Sequence, residues 1–186
     1  MLECQDVESM HPDFTHLDPD ELDLQSNVTQ IKKTFRHIEM KSKDQILEET
    51  RLLDKYQKKA LNITLKYAQD VVMSRKGAIS KPKPPLIFVH GGAGSGKSTL
   101  IHLIYQNVQN ILQKEGDDPD CPYILLSAYT GTAAANINGQ TLHTLFSFNF
   151  GAGYISLSDK MRDEKRNLYK NLRMHIIDEI SLRHVL

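Results

Sequence analysis

In the stretch HGGAGSGKSTL, from His90 to Leu100, Gly91 is followed by Gly96, Lys97 and Ser98 at the spacing G-x-x-x-x-G-K-[ST]. Each residue type suits one task. Glycines let successive backbone N–H groups turn inward around phosphate oxygens, and a helix beginning near Lys97 adds the positive end of its dipole. Lys97 is placed to reach β- and γ-phosphates, and Ser98 to hold Mg²⁺ through its hydroxyl. The nucleotide-gripping set is therefore Gly91, Gly92, Ala93, Gly94, Ser95, Gly96, Lys97, Ser98 and Thr99. The ligands it implies are ATP and Mg²⁺.

A second constellation lies in HIIDE, where Asp178 and Glu179 end an apolar run. In open α/β sheets ligands bind at the carboxyl ends of strands, so this is a functional position. Asp178 suits the Mg²⁺ shell, and Glu179 suits orientation or deprotonation of an attacking water. A kinase acting on small molecules needs no adjacent glutamate of this kind, so the pair favours water as the nucleophile. Lys97, Asp178 and Glu179 are the catalytic candidates.

A third segment, SAYTGTAAANINGQTLHTLF, carries Thr130, Gly131, Thr132, Asn136, Asn138, Gly139, Thr141 and His143, with Phe146, Phe148 and Phe150 close by. Two readings stay open on the residues alone. Small polar positions can track a phosphodiester backbone while rings offer stacking faces. Equally, small residues at a helix start permit close packing, and the phenylalanines belong to a core.

The elements that position these groups follow from periodicity. Three short apolar runs, Leu86–His90, Tyr123–Ala128 and Met174–Asp178, have strand length, and Ser98–Gln113 between the first two has one apolar helical face, stopped at Gly116-Asp117-Asp118-Pro119. Strands separated by helices of this length predict right-handed crossovers and a parallel sheet. From Asp44 to Met73 apolar residues recur at helical spacing with an interruption at Leu53-Asp54, which predicts two helices, the second capped by Asp54. The proline-rich connection Ser74–Pro85 then delivers a fresh element.

Composition sets outer bounds. The 186 residues suffice for one domain with a tail, and the formal net charge of zero gives no global pull toward polyanions. Residues 1–31 hold eight acids and no Lys or Arg, whereas residues 32–60 hold nine bases against five acids, a change that marks a boundary near Asn27. Residues 1–26 read as an acidic flexible tail, 27–85 as a helical segment and linker, and 86–186 as the phosphate-binding domain. His11, Asp13, His16 and Asp18 read as solvated tail residues rather than a metal cluster. Cys4 and Cys121 match no zinc or redox spacing and are expected to be free thiols. A signal peptide and a membrane-length apolar run are both missing from the pattern, which predicts an intracellular protein with no membrane partner.

The order of phosphate loop, T-G-T-A-A-x-N-I-x-G-x-T-L-H and I-I-D-E-I-S resembles the petite-integration-frequency (PIF-like) DNA helicases of superfamily one, from about Leu52 to Ser181. The resemblance implies an α/β P-loop NTPase with a RecA-like parallel sheet and flanking helices. It implies ATP hydrolysis coupled to movement on single-stranded DNA and duplex unwinding, with Thr130, Gly131, Thr132, Asn136, Thr141 and His143 on the DNA. DNA repair, recombination, telomere maintenance and nuclear residence, with a mitochondrial alternative, follow from the same likeness. It also puts Gln57 where such helicases read the adenine edge. Asp54-x-x-Gln57 is at the same time a capping box, and one amide serves only one of these roles well.

Tyr129 stands where the family usually has proline. After Ser181 the chain ends at Leu186, whereas relatives continue into a second RecA-like domain that supplies an arginine worth about 10³–10⁵ in turnover. The chain is thus expected to be an incomplete amino-terminal piece that hydrolyses ATP slowly. In such sheets the strand after the acidic pair lies between the other two, so the strands bearing Lys97 and Asp178 are expected to lack a neighbour between them. A nucleotide-binding module without turnover and a ring-forming ATPase are the competing classes, and the ring-forming class has no reason to carry the TGTAA to TLH segment.

Overall fold

The computed structural model describes residues 38–114, 117–118, 121–148 and 156–180. The acidic tail, Cys4, the His11–Asp18 group and Phe150 lie outside the described residues.

Two helices open the described chain. Helix α1, Lys43–Leu52, starts at Ser42, whose hydroxyl accepts from Gln45 N–H while the Gln45 side chain accepts from Ser42 N–H. Helix α2, Lys55–Arg75, starts at Asp54, whose Oδ1 accepts from Tyr56 N–H at 2.6 Å and Gln57 N–H at 3.0 Å. Leu53 closes α1 in extended backbone and the reciprocal cap at Asp54 starts α2 directly after it, which explains the break. On α2, Leu61, Thr64, Ala68 and Val71 are buried at helical spacing.

Helix α3, Lys97–Leu112, follows the glycine-rich loop, and it is buried along much of its circumference, including Leu100, Leu103, Ile104, Val108 and Leu112. It lies between α2 and the sheet. Gln106, buried in that layer, donates to Glu39 O at 2.9 Å and accepts from Lys41 N–H at 3.0 Å, fastening the segment ahead of α1.

The sheet is parallel and ordered β2-β1-β3, with β1 Ile124–Ala128, β2 Gln140–Thr141 and β3 Met174–Asp178. β1 is buried at every position, and alternate side chains serve opposite layers. Ile124 and Leu126 pack with α1, α2 and α3. Leu125 packs with Leu145 and Leu168, from α5 (Leu142–Phe146) and α6 (Asp159–Leu168). Each fully buried leucine of this kind contributes about 1.5–3 kcal/mol. Between β1 and β2 runs the short helix α4, Gly131–Asn136, whose Ala133 and Ala134 sit against Ala128.

One expected strand is corrected. Leu86–His90 pairs with no strand among the described residues, and Leu86 and Phe88 are 101 % and 77 % exposed. A strand exists only through its ladder, and β3 is hydrogen-bonded to β1 on one side alone. With no described strand on the outer edge of β3, the apolar run has no ladder partner among the described residues. The loop it delivers is held instead through α3 and α2. Cys121 is a buried free thiol, as expected, and its Sγ donates to Asp118 at 3.2 Å.

Candidate functional site

The glycine-rich loop turns because two of its glycines adopt left-handed backbone, Gly94 at φ 72° and Gly96 at φ 77°. Gly96 is also the residue before α3, so the loop ends on the amino terminus of a 16-residue helix. The Lys97 side chain folds back over the loop, its Nζ donating to Gly91 O at 2.9 Å and Gly92 O at 2.8 Å. Ser98 is half-buried on the first turn, while Gly92, Ala93, Gly94, Ser95 and Thr99 are exposed. A backbone cradle, an ammonium and a hydroxyl at a helix start fit a phosphate chain and its divalent cation.

Gln57 does not choose between its two expected roles in the way the sequence suggests. Its Oε1 completes the cap by accepting from Asp54 N–H at 3.0 Å, and its Nε2 donates to Ser95 O, also at 3.0 Å. The amide therefore ties the start of α2 to the phosphate loop. A side chain at Gly96 would collide with it, since an added Cβ falls 2.8 Å from Nε2.

Asp178 closes β3 opposite Ala128, which in turn is opposite Thr141 on β2. The register thus gathers Asp178, the exit of β1 toward Thr130, and Thr141 at one end of the sheet. Asp178 is buried and its Oδ1 accepts from Glu179 N–H at 3.0 Å. Glu179 is exposed, and its φ of 51° is the left-handed conformation that non-glycine residues rarely hold. Among the described residues no hydrogen bond or ion pair joins Lys97 or Ser98 to either carboxylate.

In the TGTAA to TLH segment several polar groups serve the fold. Thr130 caps α4 by accepting from Ala133 N–H at 3.2 Å, and Thr141 caps α5 by accepting from Thr144 N–H at 3.3 Å. Gly131, Thr132 and Asn136 are exposed. His143 is half-buried and edge-on to Tyr129, with centroids 5.5 Å apart, and to Phe148 at 6.2 Å. Phe148 is itself exposed and tilted against Phe146 at 5.7 Å. Tyr129, the departure from the family pattern, is thus part of a ring cluster that also contains a TLH residue.

Sequence reasoning missed the groups behind that cluster. Lys165 is buried at 7 % exposure and its Nζ donates to Leu145 O at 2.6 Å, where Tyr169 OH also donates at 2.8 Å. Together they satisfy the end of α5. The Ser127 hydroxyl and His175 Nε2 are 2.7 Å apart, and burial lowers the His175 pKa by disfavouring the charged ring.

Burial likewise pushes the Lys165 ammonium down to about 8, partly opposed by Glu164. Below about pH 8 both folded and unfolded chains hold this proton; between about 8 and 10.5 the unfolded chain holds more, so stability rises with pH. Tyr169, whose pKa burial raises, works against this above about pH 10, where unfolded phenols ionise. The window is therefore about pH 8–10. In urea denaturation, the stability of the unaltered chain should rise across it relative to Lys165→Met; parallel pH profiles would contradict the assignment.

The family model for an AAA domain matches residues 75–185. Over 99 residues, 52 % of the chain, it is 34 % identical to the ATP-dependent DNA helicase PIF1 of Candida albicans and 34 % identical to that of Emericella nidulans. It is 33 % identical to the ATP-dependent DNA helicase Pif1 of Bdellovibrio bacteriovorus over a stretch of the same length. These matches span 10 %, 13 % and 20 % of the three relatives. No solved structure matches. With loop, lysine and sheet-end acids all inside the matched region, the chain belongs to the AAA domain family.

Proposed function

We propose that the chain is the nucleotide-gripping part of an ATP-dependent DNA helicase. The observation that carries this reading is the register that brings Asp178, the T-G-T-A-A turn and Thr141 to one end of the sheet. Phosphate chemistry and strand contact then share a platform, as coupling between them requires.

In this reading the backbone of Gly91–Gly96 and the Lys97 ammonium hold the phosphates, the ammonium exchanging two loop carbonyls for phosphate oxygens. Ser98 and Asp178 hold Mg²⁺, which when bound offsets charge on the phosphate oxygens. Glu179 orients the attacking water. Gln57 reads the adenine edge with the N–H and the lone pair that its bonds to Ser95 O and Asp54 N–H leave over, so base recognition would be felt directly by the phosphate loop. Thr132, Asn136 and His143 face the single strand, while Thr130 and Thr141 chiefly fix the two short helices that present them. Domain limits at 26 and 85 follow the composition and the proline-rich connection, while a second RecA-like domain with its arginine, residence in nucleus or mitochondrion, and roles in repair, recombination and telomere maintenance follow the family resemblance.

The DNA part is tested by fluorescence anisotropy with labelled oligo(dT). Stacking on a protein ring is worth about 1–3 kcal/mol per base, so the pair His143→Ala and Phe148→Ala should weaken binding by about 5- to 150-fold. Unchanged affinity would favour a nucleotide-binding module or a ring-forming ATPase.

A further inference from the structure

We infer that the outer face of α2 is a docking rail for the phosphate backbone of duplex DNA, separate from the single-strand surface at the sheet end. The inference rests on the helicase reading above. Lys55, Lys59, Asn62 and Lys66 recur at steps of four, three and four residues, which lays them along one side of a helix. With Lys58 and Ile63 they line a shallow open groove. The opposite side of α2, Leu61, Thr64, Ala68 and Val71, is buried, so the stripe faces outward and cannot turn inward. Lys55, Lys59 and Lys66 are exposed.

Charge neutralisation within the protein leaves most of this rail available. Lys58 is engaged on Arg51 O at 2.9 Å, and Lys66 lies 3.5 Å from Asp70 in an exposed pair that is worth little. This is a local basic strip on a chain whose net charge is zero. From Lys55 to Lys66 the helix rises about 16 Å, the axial span of about five phosphates of one strand in a duplex.

Three features choose the occupant. Single-strand surfaces join positive charge to rings on which unstacked bases lie. Beside this stripe the exposed ring is Tyr56, and the Lys55 ammonium already sits 4.8 Å over its centroid. The ring cluster of Tyr129, His143 and Phe148 is at the sheet end instead. A ring-poor, straight lysine rail therefore suits regularly spaced phosphates whose bases stay paired, a contact that positions without reading sequence. A bilayer is disfavoured because α2 spends its apolar side on α3, leaving Ile63 alone among the lysines.

The test compares the full chain with a variant carrying Lys55→Gln, Lys59→Gln and Lys66→Gln, all exposed positions, by salt titration of binding to a labelled 20-base-pair duplex and to oligo(dT). The slope of log affinity against log salt should become shallower by about 2.7 for the duplex, at about 0.9 per lost phosphate contact, while oligo(dT) affinity stays within about twofold. An unchanged duplex slope overturns the inference, as does equal loss on both probes. A variant that loses phosphatidylserine vesicles but keeps duplex overturns it in favour of a membrane. A chain that binds oligo(dT) but no duplex sinks the rail and leaves the helicase reading standing; one that binds neither sinks both.

Discussion

Lys97→Ala should weaken magnesium–ATP binding by about ten- to a hundredfold while leaving the chain folded. The magnitude is that of a charge-assisted hydrogen bond to phosphate lost from a partly desolvated loop, about 1.5–3 kcal/mol. Foldedness should persist because the ammonium contacts only loop groups, Gly91 O and Gly92 O among them, and none of the buried core. Lys97→Arg should fail to restore affinity. The planar guanidinium is wider than an ammonium and cannot sit between two carbonyls so close to the glycine turn. Equal affinity for all three chains, with unchanged circular dichroism, would remove Lys97 from the site.

The second large effect concerns the fold beneath the DNA-facing segment. Gly139→Ala places a Cβ 2.4 Å from Leu126 O and 2.7 Å from Leu126 C, and both atoms belong to the backbone of the central strand. A flexible side chain could move aside; this strand, paired on both edges, cannot. Overpacking of this kind costs about 1–3 kcal/mol or more, which for a domain of this size lowers Tm by about 3–10 °C. Gly131→Ala is the matched control, since its added Cβ meets nothing within 4 Å. It should shift Tm by no more than about 2 °C, in either direction. Similar losses for the two would contradict the division of this segment into a packing glycine and a surface glycine.

That division shows what the sequence could reveal. Of the two readings of the segment, close packing holds for Gly139, Ala133 and Ala134, whereas Gly131, Thr132 and Asn136 remain at the surface, where the proposed strand contact needs them. Composition cannot separate them because glycine beside backbone and glycine beside solvent look alike. Helices α2 and α3 and their boundaries were legible, since period and capping are local properties carried by consecutive residues such as Asp54 and Gln57. Strands β1 and β3 were legible as apolar runs ending near the expected chemistry.

Leu86–His90 has the same pattern and no ladder among the described residues, because pairing depends on a neighbour that local sequence does not encode. β2 escaped notice for the converse reason, being a two-residue strand defined by its partner rather than its composition. Lys165 left no signal either. In DKMRDEKRNL it is one of several charges, and its burial follows from where α6 lands on the carbonyl end of α5. The Gln57 tether to Ser95 likewise joins positions 38 residues apart.

The claim on which the rest depends is that main-chain amides ahead of Lys97 enclose a nucleotide's phosphates. Isothermal titration calorimetry on the folded chain measures this most directly. The structure predicts magnesium-dependent heat with ATP at one site per chain, abolished or much weakened by Lys97→Ala. No heat from a well-folded chain, with magnesium present and ATP in excess, would contradict it.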